Sequence, residues 1–237
     1  MNVFKRFVEV HRNIRKNTDE ILWAQTWRDT KKGIQWIENL PSISPGRWAV
    51  GYNYLYVMTR ILNELQPHSV LDLGLGVSST LISCYFTFKD DKEDIHTIVE
   101  HNNDWIRFYL KQHPLSKASN IIICNCVEEK INGQSYYAYE GLKERLTNKK
   151  YSVISVDGPI GSDKYSRRDI LKLLPTILED SFVIVFDDVN RIGEQKTIDD
   201  IKSILKDEKI MYHTGIYSGE SDCCVIASDD NQYFCSL

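Results

Sequence analysis

The stretch His68-Ser-Val-Leu-Asp-Leu-Gly-Leu-Gly-Val-Ser-Ser-Thr80 decides how the rest of the chain is read. An apolar run, Val70, Leu71 and Leu73, breaks at two glycines and passes into Ser78-Ser79-Thr80, which opens a second apolar segment. The pattern predicts a strand, a tight turn and the start of a helix. Glycine at 74 and 76 lets a ligand come close to the backbone. The hydroxyl cluster can cap the unpaired N–H groups of the helix's first turn. A turn of this kind after a first strand is where a nucleotide-like cofactor sits in a doubly wound sheet. A Gly-x-Gly turn also occurs for structural reasons alone, so its surroundings carry the decision.

From residue 69 onward, strand-like runs alternate with helical segments. Strands are expected near 69–73, 95–100, 120–124, 151–157, 181–187, 209–217 and 222–228, and helices near 78–88, 103–112, 136–147, 166–178 and 194–206. Such alternation builds βαβ units and a largely parallel α/β sheet. Only Ser218-Gly219-Glu220-Ser221 joins the last two strands. That link is too short for a parallel crossover, so the pair is expected to be antiparallel.

Upstream, residues 2–22 carry Val3, Phe4, Phe7, Val10, Ile14 and Leu22 at helical spacing, with Lys5, Arg6, Arg12, Arg15 and Lys16 opposite. Such a helix either packs on its own domain with a solvated basic face, or meets a partner, a second copy or a membrane surface. A second helical piece is expected over 23–40, a turn-rich loop over 42–46, and a helix over 49–65 that stops before Pro67. Residues 1–65 are thus expected to form a helical cover, and residues 66–237 the sheet domain.

The 237 residues are 42% hydrophobic, enough for one sizeable core. A net charge of −4 offers no overall basic field for nucleic acid. No apolar run reaches the roughly 18 residues of a transmembrane span, and the N-terminus lacks a signal peptide's apolar core. The six cysteines, at 84, 124, 126, 223, 224 and 235, lack the paired spacing of a zinc site. They read as reduced, buried thiols of a cytoplasmic protein.

Several polar residues fall at expected strand ends. Glu100 closes the second strand, beside the glycine turn, where a carboxylate can accept hydrogen bonds from ribose hydroxyls; otherwise it is a solvated strand end. Cys126-Val127-Glu128 can border an adenine ring. Asp157, Asp187 and Asp188 lie at the ends of neighbouring strands and can converge above the sheet. Three carboxylates offer hard oxygen ligands to Mg²⁺ or a similar ion; alternatively they cap loops or pair with Arg167 and Arg191. Arg167, Arg168 and Arg191 suit an anionic group on an acceptor or a solvated helix face. His101 and His213 are candidate bases by residue type alone. Trp105 either closes over the cofactor or packs its helix on the sheet. The third-glycine position of a Gly-x-Gly-x-x-Gly turn is Ser79, which disfavours a dinucleotide pyrophosphate, and no Gly-x-x-x-x-Gly-Lys loop occurs.

The ordered segments VLDLGLGVSST, TIVEHNNDW, SVISVDGP and VIVFDDVNR resemble the class I S-adenosylmethionine-dependent methyltransferases over roughly residues 50–228. The resemblance implies a seven-stranded, Rossmann-like sheet whose last strand is antiparallel. It implies S-adenosylmethionine as cofactor and methyl transfer, with oxygen of a small or sugar-like acceptor as the expected target. It places Asp72, Gly74, Gly76, Ser78 and Ser79 along the methionine side, Glu100 on the ribose, Val127 and Glu128 near the adenine, and Asp157 at the mouth. Catechol and caffeoyl-coenzyme A O-methyltransferases are distantly similar. Through them Asp157, Asp187 and Asp188 are expected to be catalytic and to hold a divalent cation such as Mg²⁺. The chain departs from those families at Asp188, where they have Asn, and at Ile160, where they have Lys. Two other readings stay open: a non-catalytic binding module that keeps the fold, and a nicotinamide-dependent reductase. A nucleic-acid methyltransferase is disfavoured by the acidic charge and by the absence of an Asn-Pro-Pro-Tyr-type motif.

Overall fold

The run at 69–73 is a strand, β1 (Ser69–Leu73), in the middle of a seven-stranded sheet. A computed structural model describes residues 3–46 and 48–237; the side chains of Val3, Phe4 and Lys5 lie outside the described residues. The other strands of this sheet are β2 (Ile95–Glu100), β3 (Ser119–Ile123), β6 (Tyr151–Val156), β7 (Leu178–Phe186), β8 (Tyr212–Tyr217) and β9 (Cys223–Ser228). Their order is β3-β2-β1-β6-β7-β9-β8. The first five pair in parallel, and β9 runs antiparallel between β7 and β8. The short 218–221 link permits only a hairpin, which makes β9 the reversed strand. From β1 the chain builds outward to β3, then returns to β6 on the other side of β1. A crevice opens at such a reversal, beyond the strand ends.

Both faces of the sheet are covered, so its central strands β1, β6 and β9 are buried at every position, whereas the edge strands β3 and β8 are partly exposed. Period-two geometry still divides the residues between two cores. Val70, Val153, Val183 and Val225 face helix α2 (Tyr52–Leu65) and helix α3 (Val77–Lys89), where Leu55, Met58, Leu62, Leu81 and Phe86 meet them. Leu71, Ile154, Ile184 and Phe186 face the other side, against Leu173, Ile198, Ile201 and Leu205. The last three belong to α7 (Ile192–Asp207). Helix α4 (Asn103–Leu110) follows β2.

Three elements differ from the sequence expectation. Helix α1 (Val3–Thr30) continues through residues 22–23 without a break, and a 3₁₀ turn at Gln35–Asn39 follows it. Residues 136–147 hold no long helix. They contain β5 (Gln134–Tyr139), hairpin-paired with β4 (Cys126–Ile131), and then a single turn, α5 (Leu142–Arg145). The cause is Asn132-Gly133, both with positive φ, the turn chemistry that closes a two-residue hairpin. The helix expected at 166–178 shortens to α6 (Asp169–Leu173), because Pro175 pushes the preceding residue into extended geometry. Residues 6–15 of α1 are all exposed; its first recorded anchor is the Lys16 ammonium on the Glu220 carbonyl, at 2.9 Å. Among the described residues, no helix is long and apolar enough to cross a membrane.

Candidate active site

Gly74 follows β1 with φ +111°, a conformation that side chains resist. A Cβ there would lie 3.2 Å from the Gly158 nitrogen, so the position is closed to larger residues twice over. This close approach ties the end of β1 to the end of β6. Gly76 is different. Its backbone is extended, and a Cβ there would meet nothing within 4 Å, because the position faces an open cleft.

Beneath the turn lies a buried polar scaffold. Asp72 is fully buried and accepts hydrogen bonds from Ser79 Oγ at 2.5 Å, Ser155 Oγ at 2.5 Å and Ser78 Oγ at 3.2 Å. Tyr54 OH lies 2.6 Å from Ser155 Oγ. Ser79 Oγ also accepts the Gly76 N–H at 3.1 Å. Burial raises the Asp72 carboxyl to about 6, with the three hydroxyls pulling it back down. Asp72, Ser78 and Ser79 therefore hold the turn from below and do not line the cleft.

Glu100 ends β2 and does line it. Its Oε1 accepts the N–H groups of His101 at 2.7 Å and Asn102 at 2.8 Å, and Oε2 accepts the Leu75 N–H at 3.2 Å. With one N–H on Oε2, the carboxylate keeps acceptor capacity on the cleft side. Asn102 caps α4 through the N–H groups of Asp104 and Trp105, both at 3.0 Å. Helix α4 then steadies the glycine turn: Trp105 Nε1 donates to the Leu75 carbonyl at 2.8 Å and Tyr109 OH to that of Gly76 at 2.6 Å. Trp105 thus packs its helix onto the turn and also forms part of the cleft wall.

The cleft has a volume of about 940 Å³ and runs from Glu100 past Gly74 and Gly76 to Asp157, Asp188 and Arg191. A side chamber of about 190 Å³ adjoins it, bounded by Trp48, Asp157, Asp187, Asp188, Asn190 and Arg191. Asp157 follows β6, and Asp187 and Asp188 follow β7, so parallel neighbours bring the three acids together as expected. One carboxylate oxygen from each of the three lies within 4.8 Å of the others. Arg167 enters this group from the loop before α6. Its Nη2 lies 3.0 Å from Asp157 Oδ1 and 2.6 Å from Asp188 Oδ2, and Nη1 donates to the Asp187 carbonyl at 2.8 Å. Arg191 Nη1 is 2.8 Å from Asp188 Oδ2, and Ser221 Oγ donates to Asp188 Oδ1 at 2.8 Å. Asp187 Oδ1 is buried without a partner. Burial pushes Asp157 up to about 7 against the pull of Arg167. It also pushes Asp187 well above the usual carboxylate range, with the charges of Asp157 and Asp188 adding to the effect.

Other expected residues lie elsewhere. Val127 and Glu128 sit on β4, which leaves the main sheet for the hairpin, and they do not reach the cleft. His213 pairs with Asp229 at 2.8 Å, and Arg168 with Asp200 at 2.6 Å, both away from the cleft. His101 stands in the cleft wall beside Glu100. Sequence reading passes over Trp48 and Tyr139. Trp48, on the loop before α2, is 96% exposed at the rim. Tyr139, in the wall, is delivered by the hairpin that Asn132-Gly133 signals.

No family model matches the sequence, and no curated protein matches it. Solved structures do match. An O-methyltransferase from Bacillus cereus, in complex with S-adenosylhomocysteine, superposes with a TM-score of 0.52 at 13% identity, covering 90% of this chain and 91% of that one. TomG from Streptomyces achromogenes, an O-methyltransferase of tomaymycin synthesis bound to S-adenosylmethionine, gives 0.53 at 13% identity over 90% and 96%. The S-adenosylhomocysteine-bound methyltransferase PaMTH1 of Podospora anserina gives 0.50 at 11% identity over 85% and 96%. Strand order, the single reversed strand and these superpositions agree: the chain has the seven-stranded, Rossmann-like fold of the S-adenosylmethionine-dependent methyltransferases.

Proposed function

We propose that this protein is an S-adenosylmethionine-dependent methyltransferase acting on an oxygen of a small or sugar-like acceptor. The observation that carries the reading is the Glu100 carboxylate lying against the Gly74–Gly76 turn on the wall of an open cleft, at the strand-order reversal. A ribose fits there: Oε2 has capacity for a hydroxyl, and the bare face of Gly76 leaves room that a Cβ would fill. Trp105 offers an aromatic wall beside it. The Bacillus cereus and Streptomyces achromogenes enzymes hold this cofactor or its demethylated product, which supports the assignment by analogy of fold.

When bound, the cofactor supplies a methyl group made electrophilic by its sulfonium. The chain's own residues orient the acceptor and take its proton. Asp157, at the cleft mouth and raised to about 7, is placed to accept that proton as the new C–O bond forms and the C–S bond breaks. Asp187 and Asp188 border the same chamber and, with Arg167, set the charge around Asp157. Asp157, Asn190 and Arg191 supply hydrogen-bond partners for acceptor hydroxyls, and the exposed Trp48 indole supplies an apolar face for a sugar ring. In this reading residues 1–65 are the cover, with residues 41–44 and 48–49 as the part that reaches the cleft. All six cysteines are unpaired, which supports a cytoplasmic location.

Calorimetric titration tests the first step. S-adenosylhomocysteine is expected to bind, and Glu100→Ala to weaken it. Binding of NADH with none of S-adenosylhomocysteine would favour the reductase. Tight cofactor binding with no methyl transfer to any of a panel of glycosides and small alcohols would favour the non-catalytic module.

A further inference from the structure

We propose that the Arg167 guanidinium stands where a divalent cation would otherwise sit among Asp157, Asp187 and Asp188, so that the chain itself supplies the cation these carboxylates face. The three carboxylates have the spacing of a metal site, yet two of them, Asp157 and Asp188, are already engaged by Arg167. One nitrogen, Arg167 Nη2, bridges Asp157 Oδ1 and Asp188 Oδ2 at 3.0 and 2.6 Å. The other, Nη1, is seated on the Asp187 carbonyl at 2.8 Å, at the end of β7. The arginine is only 4% exposed and holds φ at +54°, so the surrounding structure over-determines its place.

Asp188 has no oxygen to spare. Arg191 shares Oδ2 and Ser221 takes Oδ1. Asp187 Oδ1 is the one buried carboxylate oxygen of the cluster without a partner. An oxygen-ligated divalent ion wants about six donors, and this set does not fit one as it stands. Admitting an ion would strand a buried guanidinium that cannot shed its proton. Such stranding is unfavourable, whereas the present arrangement pairs every charge but that of Asp187.

The geometry gives Arg167 a positioning role. It holds Asp157 by Oδ1 and leaves Oδ2 for the acceptor; this consequence rests on the methyltransferase reading, but the exclusion of metal does not. The test is binding of Mn²⁺ to the full chain, followed by electron paramagnetic resonance and calorimetry, with Asp188→Asn identifying ions held by this cluster. The wild type is expected to hold none there up to about 1 mM, the weak end of the range for oxygen-ligated divalent ions. Arg167→Met, which keeps the stem but removes the cation, is expected to gain Mn²⁺ affinity roughly tenfold or more, and Asp187→Asn added to it to abolish the gain. Arg167→Lys, which keeps a cation, is expected to stay empty. Wild-type Mn²⁺ binding that disappears in Asp188→Asn overturns the proposal, and this titration decides the matter even if Arg167→Met does not fold. A folded Arg167→Met that gains no affinity overturns it equally. Because none of these readouts is methyl transfer, a failure of the functional assignment shows separately, as absent S-adenosylhomocysteine binding.

Discussion

The Glu100 carboxylate accepts the Leu75 N–H at 3.2 Å, so the acid that ends β2 is bonded directly into the glycine turn that ends β1. Two segments some 25 residues apart in the chain thereby form one wall. Glu100→Gln keeps the size and one acceptor oxygen but loses the charge. Calorimetry should show S-adenosylhomocysteine binding weakened roughly tenfold to a hundredfold, about 1–3 kcal/mol for a charged hydrogen bond. Unchanged affinity would remove Glu100 from the ribose.

Gly74 and Gly76 should respond in opposite ways to the same substitution. At Gly74 an alanine meets both the positive φ and the Gly158 backbone, so Gly74→Ala should lower the unfolding free energy by about 1–3 kcal/mol. At Gly76 the backbone is extended and the added carbon has open space, so Gly76→Ala should fold with an unaltered melting temperature. Its effect should appear only on ligand binding, because the methyl group protrudes into the cleft. Thermal melts with and without S-adenosylhomocysteine separate the two. A Gly76→Ala protein that binds as the wild type does would show that the cofactor does not lie there.

Much of this is legible from the chain because parallel strands put their C-terminal residues along one edge, so an acid at a strand end is an acid at the crevice. Glu100, Asp157 and Asp188 need no more than that. The placements that spacing does not resolve have a different origin. Asp72, Ser78 and Ser79 face inward, and spacing along the chain cannot distinguish a hydroxyl that holds a turn from one that holds a ligand. Val127 and Glu128 are expected by the adenine as residues at the tip of the third strand, and they lie instead on β4 of the hairpin. Asn132-Gly133 carries the sequence signal for this hairpin. Arg167 can be named from sequence as a partner of the acids, but its seat between two of them depends on the fold of the 158–168 loop, which local pattern does not encode.

The buried Asp72 should leave a mark on stability. Its carboxyl rises from the ordinary 3.8 to about 6 in the folded chain, chiefly through burial. Between those two values the folded state binds the proton more readily than the unfolded state, so stability falls as pH rises through that window. The loss is up to about 3 kcal/mol for a shift of this size. Asp72→Asn cannot ionise. Urea unfolding at a series of pH values should show a shallower decline for the variant between about 4 and 6, on top of a pH-independent cost for disturbed hydroxyl contacts. Parallel curves would mean that Asp72 titrates normally in the folded protein.

Trp48 is 96% exposed, so its removal should cost almost nothing in folding. If its indole is the platform for a sugar ring, Trp48→Ala should raise KM for a glycoside acceptor roughly fivefold to tenfold, in line with the loss of about 1 kcal/mol of aromatic contact. KM for S-adenosylmethionine should stay the same. Equal effects on both substrates would point instead to a general collapse of the loop.

Asp157 should govern the pH dependence of turnover. Burial raises its carboxyl to about 7 while Arg167 opposes the rise. As the proton acceptor it is active when ionised, so kcat should climb as pH rises through about 7 and level off above it. Loss of a general base typically costs about a hundredfold to ten-thousandfold, and Asp157→Asn should fall by that much in kcat. S-adenosylhomocysteine affinity should change little, because Glu100 and the glycine turn are left as they were. The ascending limb is the discriminating feature: a purely structural aspartate would lower activity at every pH alike. An Asn variant that keeps the limb would move the base to another group in the chamber, with Asp187 the first to test.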